Sequence, residues 1–136
     1  MASYLLVFKA LSDGTRLRII NLLLRSNREL CVCEIVDSIN ESQYNVSKHL
    51  KELKYAGLIE EKKMGRWVSY HLASSRDRFK DDLFKAIASI PEGQFAKDEQ
   101  MLKARLSLRK QGRCVIGLKS ELRKSMLDKL AKDTRI

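Results

Sequence analysis

The chain has 136 residues, 44% of them hydrophobic and 32% charged, which suits one mainly helical domain with a core of its own or one shared in a dimer. Its net charge of +10 favours a polyanionic partner such as nucleic acid, but most of the excess lies in residues 97–136 and does not locate the binding surface. The three cysteines are an odd number, which argues against a secreted disulfide scaffold. We see no signal peptide and no run of about 18 apolar residues, and we therefore expect a cytoplasmic protein outside membranes.

Two helices are predicted ahead of the first cysteine. Residues 4–11 are apolar with one lysine and indicate a short first helix. Asp13 is placed to cap a second helix, in which Leu17, Ile20 and Leu23 recur at helical spacing up to about residue 25. A third helix is predicted to begin at the pair Cys31 and Cys33, with an apolar stripe through residue 39.

The fourth helix, residues 42–56, is predicted to read DNA. Ser42 is its expected N-cap, and Val46, Leu50 and Leu53 cluster on one side when each residue advances the helix by about 100°. The opposite half is polar and basic, and Gly57 ends the helix.

Two groups of side chains form the predicted DNA surface. Near the start of the helix, Gln43, Tyr44 and Ser47 are placed to reach base edges. Lysines and one arginine on the helix and on the following β-hairpin are expected to contact phosphates; they are Lys48, Lys51, Lys62, Lys63 and Arg66. An ordinary solvated face is the alternative for each lysine, but their joint position opposite the apolar stripe favours DNA.

The rest of the chain alternates between a hairpin and helices. Residues 58–63 and 67–72 are β-prone and meet across Gly65. Further helices are predicted from about residue 77 and up to about residue 110, followed by a Gly-bounded segment, 111–117, that is either a loop or a short strand. Leu118, Leu122, Met126 and Leu130 indicate a basic terminal helix. We divide the chain into a DNA-binding and dimerisation domain, 1–92, and a helical extension, 93–136.

Four separated motifs share one resemblance. Residues 8–19 (FKALSDGTRLRI), 29–35 (ELCVCEI), 46–50 (VSKHL) and 65–70 (GRWVSY) resemble, in order and spacing, the ArsR/SmtB family of metal-sensing repressors, in particular its arsenic-sensing branch. The resemblance covers about residues 5–116. It implies a mainly α winged helix-turn-helix with a small β-hairpin, and a homodimer that represses its operator without effector. It also implies release by trivalent arsenic or antimony, with no organic cofactor and no enzymatic activity.

The sequence departs from the family pattern at two positions. Gly14 stands where proline is usual, and Val36 stands where arsenic sensors often carry a third cysteine. Cys114, in a Gly-Arg-Cys-Val context, is therefore the candidate third thiolate. Other members of the family bind zinc on the helix after the wing, but that helix carries no histidine in this sequence, because the two histidines are His49 and His71. His49 is expected to be a structural, hydrogen-bonded residue.

Thiolates select soft ions, and trivalent arsenic prefers three sulfurs. If Cys31 and Cys33 both lay in a regular helix, their side chains would point about 200° apart. Binding one ion would then unwind the first turn and disturb the adjoining DNA-reading helix. The alternatives are that the cysteines are small buried apolar residues, that the ion is zinc, cadmium or lead, or that Cys31 or Cys33 joins Cys114 in a redox switch.

A dimer would place two reading helices about one DNA turn apart on a palindromic site. The candidate interface consists of apolar residues from the first helix and from the helix after the wing. They are Leu5, Leu6, Phe8, Phe79, Leu83, Phe84 and Ile87. The same residues could instead belong to the core of one chain.

Overall fold

A computed structural model describes residues 1–117 and 121–133, and it confirms the predicted mainly helical winged helix-turn-helix with one addition to its sheet. The elements, in chain order, are α1 (Ala2–Leu11), α2 (Gly14–Ser26), β1 (Leu30–Cys31), α3 (Val32–Ile39), α4 (Gln43–Tyr55), β2 (Ile59–Met64), β3 (Trp67–Leu72), α5 (Arg78–Ala88), a 3-10 helix (Glu92–Phe95), α6 (Ala96–Leu106) and α7 (Glu121–Asp133). Leu118, the first residue of the predicted terminal apolar row, lies outside the described residues. None of the described helices is long and apolar enough to cross a membrane.

The predicted helix caps are confirmed. The Asp13 carboxylate accepts a hydrogen bond from the Arg16 backbone N–H at 3.0 Å, and the Ser42 hydroxyl accepts one from Asn45 at 3.2 Å. Each cap satisfies a backbone donor that the first helical turn leaves unpaired, so it fixes where its helix begins. Gly57 follows α4 with φ of 76°, the left-handed conformation that ends many helices.

The predicted hairpin is confirmed, and a third strand joins it. β2 and β3 pair antiparallel, with a register that runs from Ile59 opposite Leu72 to Met64 opposite Trp67. β1 pairs with the other edge of β3, which places Cys31 opposite Ser69. The sequence did not predict β1, because two residues are too few to show the alternation that marks a strand. The first cysteine is thus part of the wing sheet.

One apolar core receives side chains from α2, α3, α4, α5 and α6. Phe84 and Ile87 of α5 are buried in it, so these two predicted interface residues belong to the core of the single chain, the alternative that the sequence left open. Leu102 of α6 lies in the same cluster. The extension that we separated at residue 92 therefore begins as part of the first core, because α6 packs against α2 and α3.

Candidate functional site

The three cysteines lie together in one buried cluster, against which Trp67 packs. The sulfur of Cys33 lies 3.5 Å from the sulfur of Cys114, although 81 positions separate the two residues. The sulfurs of Cys31 and Cys114 and a carboxylate oxygen of Glu34 lie within 4.8 Å of one another. Atoms that bind one ion at about 2.3 Å, the zinc–sulfur distance, lie at similar separations. The residues therefore fit a single ion.

Cys31 lies at the junction of β1 and α3, outside the helix. It is the N-cap of α3 and has extended backbone angles, φ of −75° and ψ of 156°. The backbone N–H of Cys31 donates a hydrogen bond to the Glu34 carboxylate at 2.9 Å. The premise that both thiols lie in one helical turn and point apart is therefore wrong. Cys31 and Cys33 face the same cluster with α3 intact, so binding does not require its first turn to unwind.

Two buried ion pairs hold the segment that carries Cys114 against α3. The guanidinium of Arg109 donates to both carboxylate oxygens of Glu34, each at 2.7 Å. The guanidinium of Arg105 donates to Asp37 at 2.8 Å, and both side chains are almost inaccessible, with 1% and 0% of their surface exposed. Arg123 of α7 donates to the same Asp37. The C-terminal part of the chain is thus fixed to the helix that follows Cys31.

The backbone carbonyl of Ile116 links these ion pairs to the sulfurs. It accepts hydrogen bonds from Arg105 and from the thiols of Cys33 and Cys114, whose sulfurs lie 3.6 and 3.8 Å away. Sequence reasoning missed this arrangement, although a signal was present. Glu34 and Asp37 are three residues apart in α3, a spacing that places both acids on one face of that helix. Their partners are Arg105 at the end of α6 and Arg109 just after it.

The three cysteines of the cluster shift one another's pKa values in opposite directions. Hydrogen bonds from the Cys31 and Cys33 thiols lower the pKa of Cys114, and the nearby Arg105 guanidinium lowers it further. Hydrogen bonding to Cys114, together with burial, raises the pKa values of Cys31 and Cys33. The pKa of Cys114 is thus lowered while those of Cys31 and Cys33 are raised, so Cys114 is the cysteine of the three that loses its proton most readily.

Solvent reaches the cluster through an open cavity of about 810 Å³ under the wing. Its lining includes Cys31, Cys114, Trp67 and Arg109. A small solute can therefore approach two of the three sulfurs without unfolding the domain. A separate cavity of about 290 Å³ borders Cys31 and Cys33 on the side of Gln43, the first residue of α4.

The two histidines lie away from the sulfurs. The ring nitrogen Nδ1 of His49 is 3.3 Å from the Arg16 guanidinium and 4.0 Å from the Asp13 carboxylate, as the predicted structural role requires. The ring of His71 is 2.9 Å from the carbonyl of Leu72. Within residues 1–117 and 121–133, no histidine is available to the thiol cluster as a further ligand.

The side chains predicted to meet DNA are all exposed. Val46, Leu50 and Leu53 are fully buried beneath α4, which leaves the opposite face of that helix to solvent. That face carries Gln43, Tyr44, Ser47, Lys48 and Lys51, and the hairpin carries Lys62, Lys63 and Arg66. Glu29 pairs with Lys62 at 3.6 Å.

Comparison with known proteins gives a consistent result. The family described as bacterial regulatory proteins, arsR family, matches residues 13–61. The chain is 34% identical over 93 residues to the arsenic resistance transcriptional regulator ArsR1 of Pseudomonas putida, an alignment covering 68% of this chain and 72% of that protein. It is 42% identical over 65 residues to the cadmium resistance transcriptional regulatory protein CadC of Listeria innocua, which covers 48% and 54%. Its fold is similar to the homodimeric winged helix-turn-helix DNA-binding domain Mb0332 of Mycobacterium bovis, with a TM-score of 0.55, 28% identity and coverage of 74% and 82%.

Proposed function

Because the chain belongs to the ArsR family of DNA-binding transcriptional repressors, we propose that trivalent arsenic or antimony releases it from its operator by binding Cys31, Cys33 and Cys114. The observation that carries this proposal is the buried cluster of three cysteines from two distant parts of the chain, two of which line a cavity open to solvent. Proteins of this family are regulators and not enzymes. The thiols must stay reduced to act, which fits the cytoplasm.

The chemistry of the donor set favours a metalloid. Three thiols can replace the three hydroxyl groups of arsenous acid, forming three As–S bonds and releasing three water molecules, with no change of oxidation state. Structural zinc sites are almost always four-coordinate. Glu34 is the nearby oxygen donor, but its carboxylate is already engaged by Arg109 and by the Cys31 N–H. A three-sulfur ligand set therefore suits arsenic or antimony better than a tetrahedral divalent ion.

Two alternatives have an observation in their favour. Glu34 lies within ligand distance of two sulfurs, and one relative is named for cadmium resistance, so a divalent ion such as cadmium, zinc or lead is the first. The second is a redox switch, since Cys33 and Cys114 are close enough to form a disulfide after small movements. That step removes two protons and two electrons and requires an oxidant such as diamide.

The proposal is tested by titrating the complex of the reduced protein and its operator DNA with arsenite, antimonite, cadmium, zinc and diamide. We expect release at the lowest concentration with arsenite or antimonite. Release by cadmium or zinc alone would show that the effector is a divalent ion and not a metalloid. Release by diamide alone would indicate the redox switch. If no reagent releases the DNA, the thiol cluster is not the effector site.

Two copies of α4 are needed to contact two half-sites about one DNA turn apart. The exposed apolar residues of α1 suit a dimer interface: Leu5 and Phe8 expose 61% and 55% of their surface, and the Phe8 ring packs on Phe79 with centroids 5.8 Å apart. Contiguous apolar patches of this kind mark interaction surfaces. We therefore propose a homodimer through Leu5, Leu6, Phe8, Phe79 and Leu83.

The dimer is tested by Phe8→Glu. We expect this variant to shift from dimer to monomer in sedimentation velocity and to lose at least about tenfold in DNA affinity, or 1.4 kcal/mol. Burying a charge in an apolar interface is unfavourable, whereas the exposed side chain costs little in the monomer. Tyr55→Glu, which changes another exposed aromatic residue, is the control for oligomeric state. A Phe8→Glu protein that stays dimeric would exclude the α1 surface.

The phosphate role of the wing is tested by Lys63→Ala. We expect weaker binding to all DNA sequences alike, together with a shallower dependence of log affinity on log salt, by about one unit, because one fewer counterion is released. Lys97→Ala is the matched control, since Lys97 is an exposed lysine on α6. Fluorescence anisotropy at several salt concentrations measures the slope of log affinity against log salt for each variant. A loss confined to one operator sequence would contradict the phosphate role.

A further inference from the structure

The thiol cluster is directly attached to the wing. Cys31 belongs to β1, whose pairing with β3 places it opposite Ser69. Two residues before Ser69, the Trp67 side chain packs against the three cysteines. Its ring also lies 3.6 Å from the position that a Cβ on Gly117 would occupy. Trp67 therefore contacts the cluster and borders the segment that follows Cys114.

The other side of Trp67 leads to the DNA-contacting surface. The guanidinium of Arg66 lies 5.4 Å from the centre of the Trp67 ring, a cation–π distance. Arg66 is exposed at the tip of the hairpin, where we expect it to meet a phosphate. Trp67 and Arg66 also line the cavity of about 290 Å³ that Cys31 and Cys33 share with Gln43 of α4. Trp67 thus lies between the sulfurs and both DNA-contacting elements.

We propose that Trp67 is the positioning residue that transmits effector binding to the wing. An ion bound by the three sulfurs adds an atom to the cluster on which Trp67 packs, so we expect the packed ring to move. Movement of the ring displaces Arg66, which rests on it, and the hairpin tip follows. The effector needs only to favour this displaced wing for DNA affinity to fall.

This route replaces the one that the sequence suggested. Cys31 precedes α3, so ion binding has no helical turn to unwind, and α3 retains its cap from Glu34. The strand pairing between β1 and β3 instead joins the first ligand to the wing through backbone hydrogen bonds. The inference rests on the proposed function, because it assumes that the cluster binds an effector.

The decisive measurement is the coupling ratio, the DNA dissociation constant with saturating arsenite divided by that without it. Typical allosteric couplings are about 5- to 150-fold. Trp67 packs on the cluster and supports Arg66, so Trp67→Leu and Trp67→Phe can change either affinity by itself. The coupling ratio compares each variant with itself and isolates the transmission between the two sites. We expect the coupling ratio of Trp67→Leu to fall below about twofold. The ratio of Trp67→Phe should lie between those of Trp67→Leu and wild type, since the smaller ring fills part of the same contact.

Tyr70→Phe is the matched control, because it changes another aromatic residue of β3 and removes only the hydrogen bond from the Tyr70 hydroxyl to Glu61. Its coupling ratio should equal that of wild type. If Trp67→Leu keeps the wild-type ratio, or loses arsenite binding itself, the proposal is overturned. If wild-type DNA binding does not respond to arsenite, the proposed effector fails instead, and the same cycle is run with the ion that does release DNA.

The unaltered protein provides a second test. Trp67 is the sole tryptophan of the chain, so intrinsic fluorescence reports its surroundings without a label. We expect arsenite to change the intensity or wavelength of the emission in the absence of DNA. The change should saturate at one arsenite per chain and should be absent in Cys114→Ser. An emission spectrum unaffected by an ion that does bind and release DNA would exclude Trp67 as the coupling residue.

Discussion

Cys114→Ser is expected to bind operator DNA normally but to lose its release by arsenite. Cys114 lies in the same cluster as Cys31 and Cys33, and its loss leaves two thiols for an ion that prefers three. We expect the concentration of arsenite required for half-maximal release to rise at least about a hundredfold, or 2.7 kcal/mol. DNA affinity should not change, because Cys114 is a buried residue of the loop after α6 and is not one of the exposed side chains on α4 and the hairpin that are predicted to meet DNA.

The control is Val115→Ser, which makes the next residue polar; its side chain is 41% exposed and contributes no sulfur. X-ray absorption of the arsenic-loaded protein should give three sulfur neighbours for wild type and for the control, and two for Cys114→Ser. Cys31→Ser and Cys33→Ser should resemble Cys114→Ser. A normal response of Cys114→Ser would restrict the site to the two cysteines of the ELCVC motif.

Local signals in the sequence predicted most of the fold. Asp13 and Ser42 cap the helices that they were expected to cap, and the stripe of Val46, Leu50 and Leu53 identified the buried face of α4. These features depend on residues within a few positions of one another, so periodicity and capping rules suffice. The hairpin around Gly65 was predictable for the same reason.

Long-range pairing limited the prediction of the site. Cys114 was a candidate only through its residue type and its resemblance to relatives, because its distance from Cys33 depends on how α6 packs against α3. The strand status of Cys31 depends on β3, nearly forty residues later in the chain. Phe84 and Ile87 likewise fitted an interface and a core equally well, since burial by the same chain or by a partner leaves the same apolar pattern.

Asp37→Ala is expected to destabilise the domain by about 3–5 kcal/mol, because it leaves the buried Arg105 guanidinium without its carboxylate. Urea unfolding of the reduced protein measures this change. Asp82→Ala is the control: it removes the exposed pair with Arg78 and should cost less than about 1 kcal/mol. An Asp37→Ala protein as stable as this control would show that the buried pair does not hold the extension to α3.

The double variant Asp37→Leu/Arg105→Leu separates stability from effector binding. Replacing both charges by apolar side chains removes the unpaired buried ion, so most of the lost stability should return. The arsenite affinity of the double variant should nevertheless be lower than that of wild type. Arg105 also donates to the carbonyl of Ile116, which accepts hydrogen bonds from Cys33 and Cys114, and the double variant lacks this contact. We expect a loss of about 10- to 100-fold, the range seen when partners that orient metal ligands are removed. Wild-type arsenite affinity in this stable double variant would mean that the three sulfurs assemble without the ion pair.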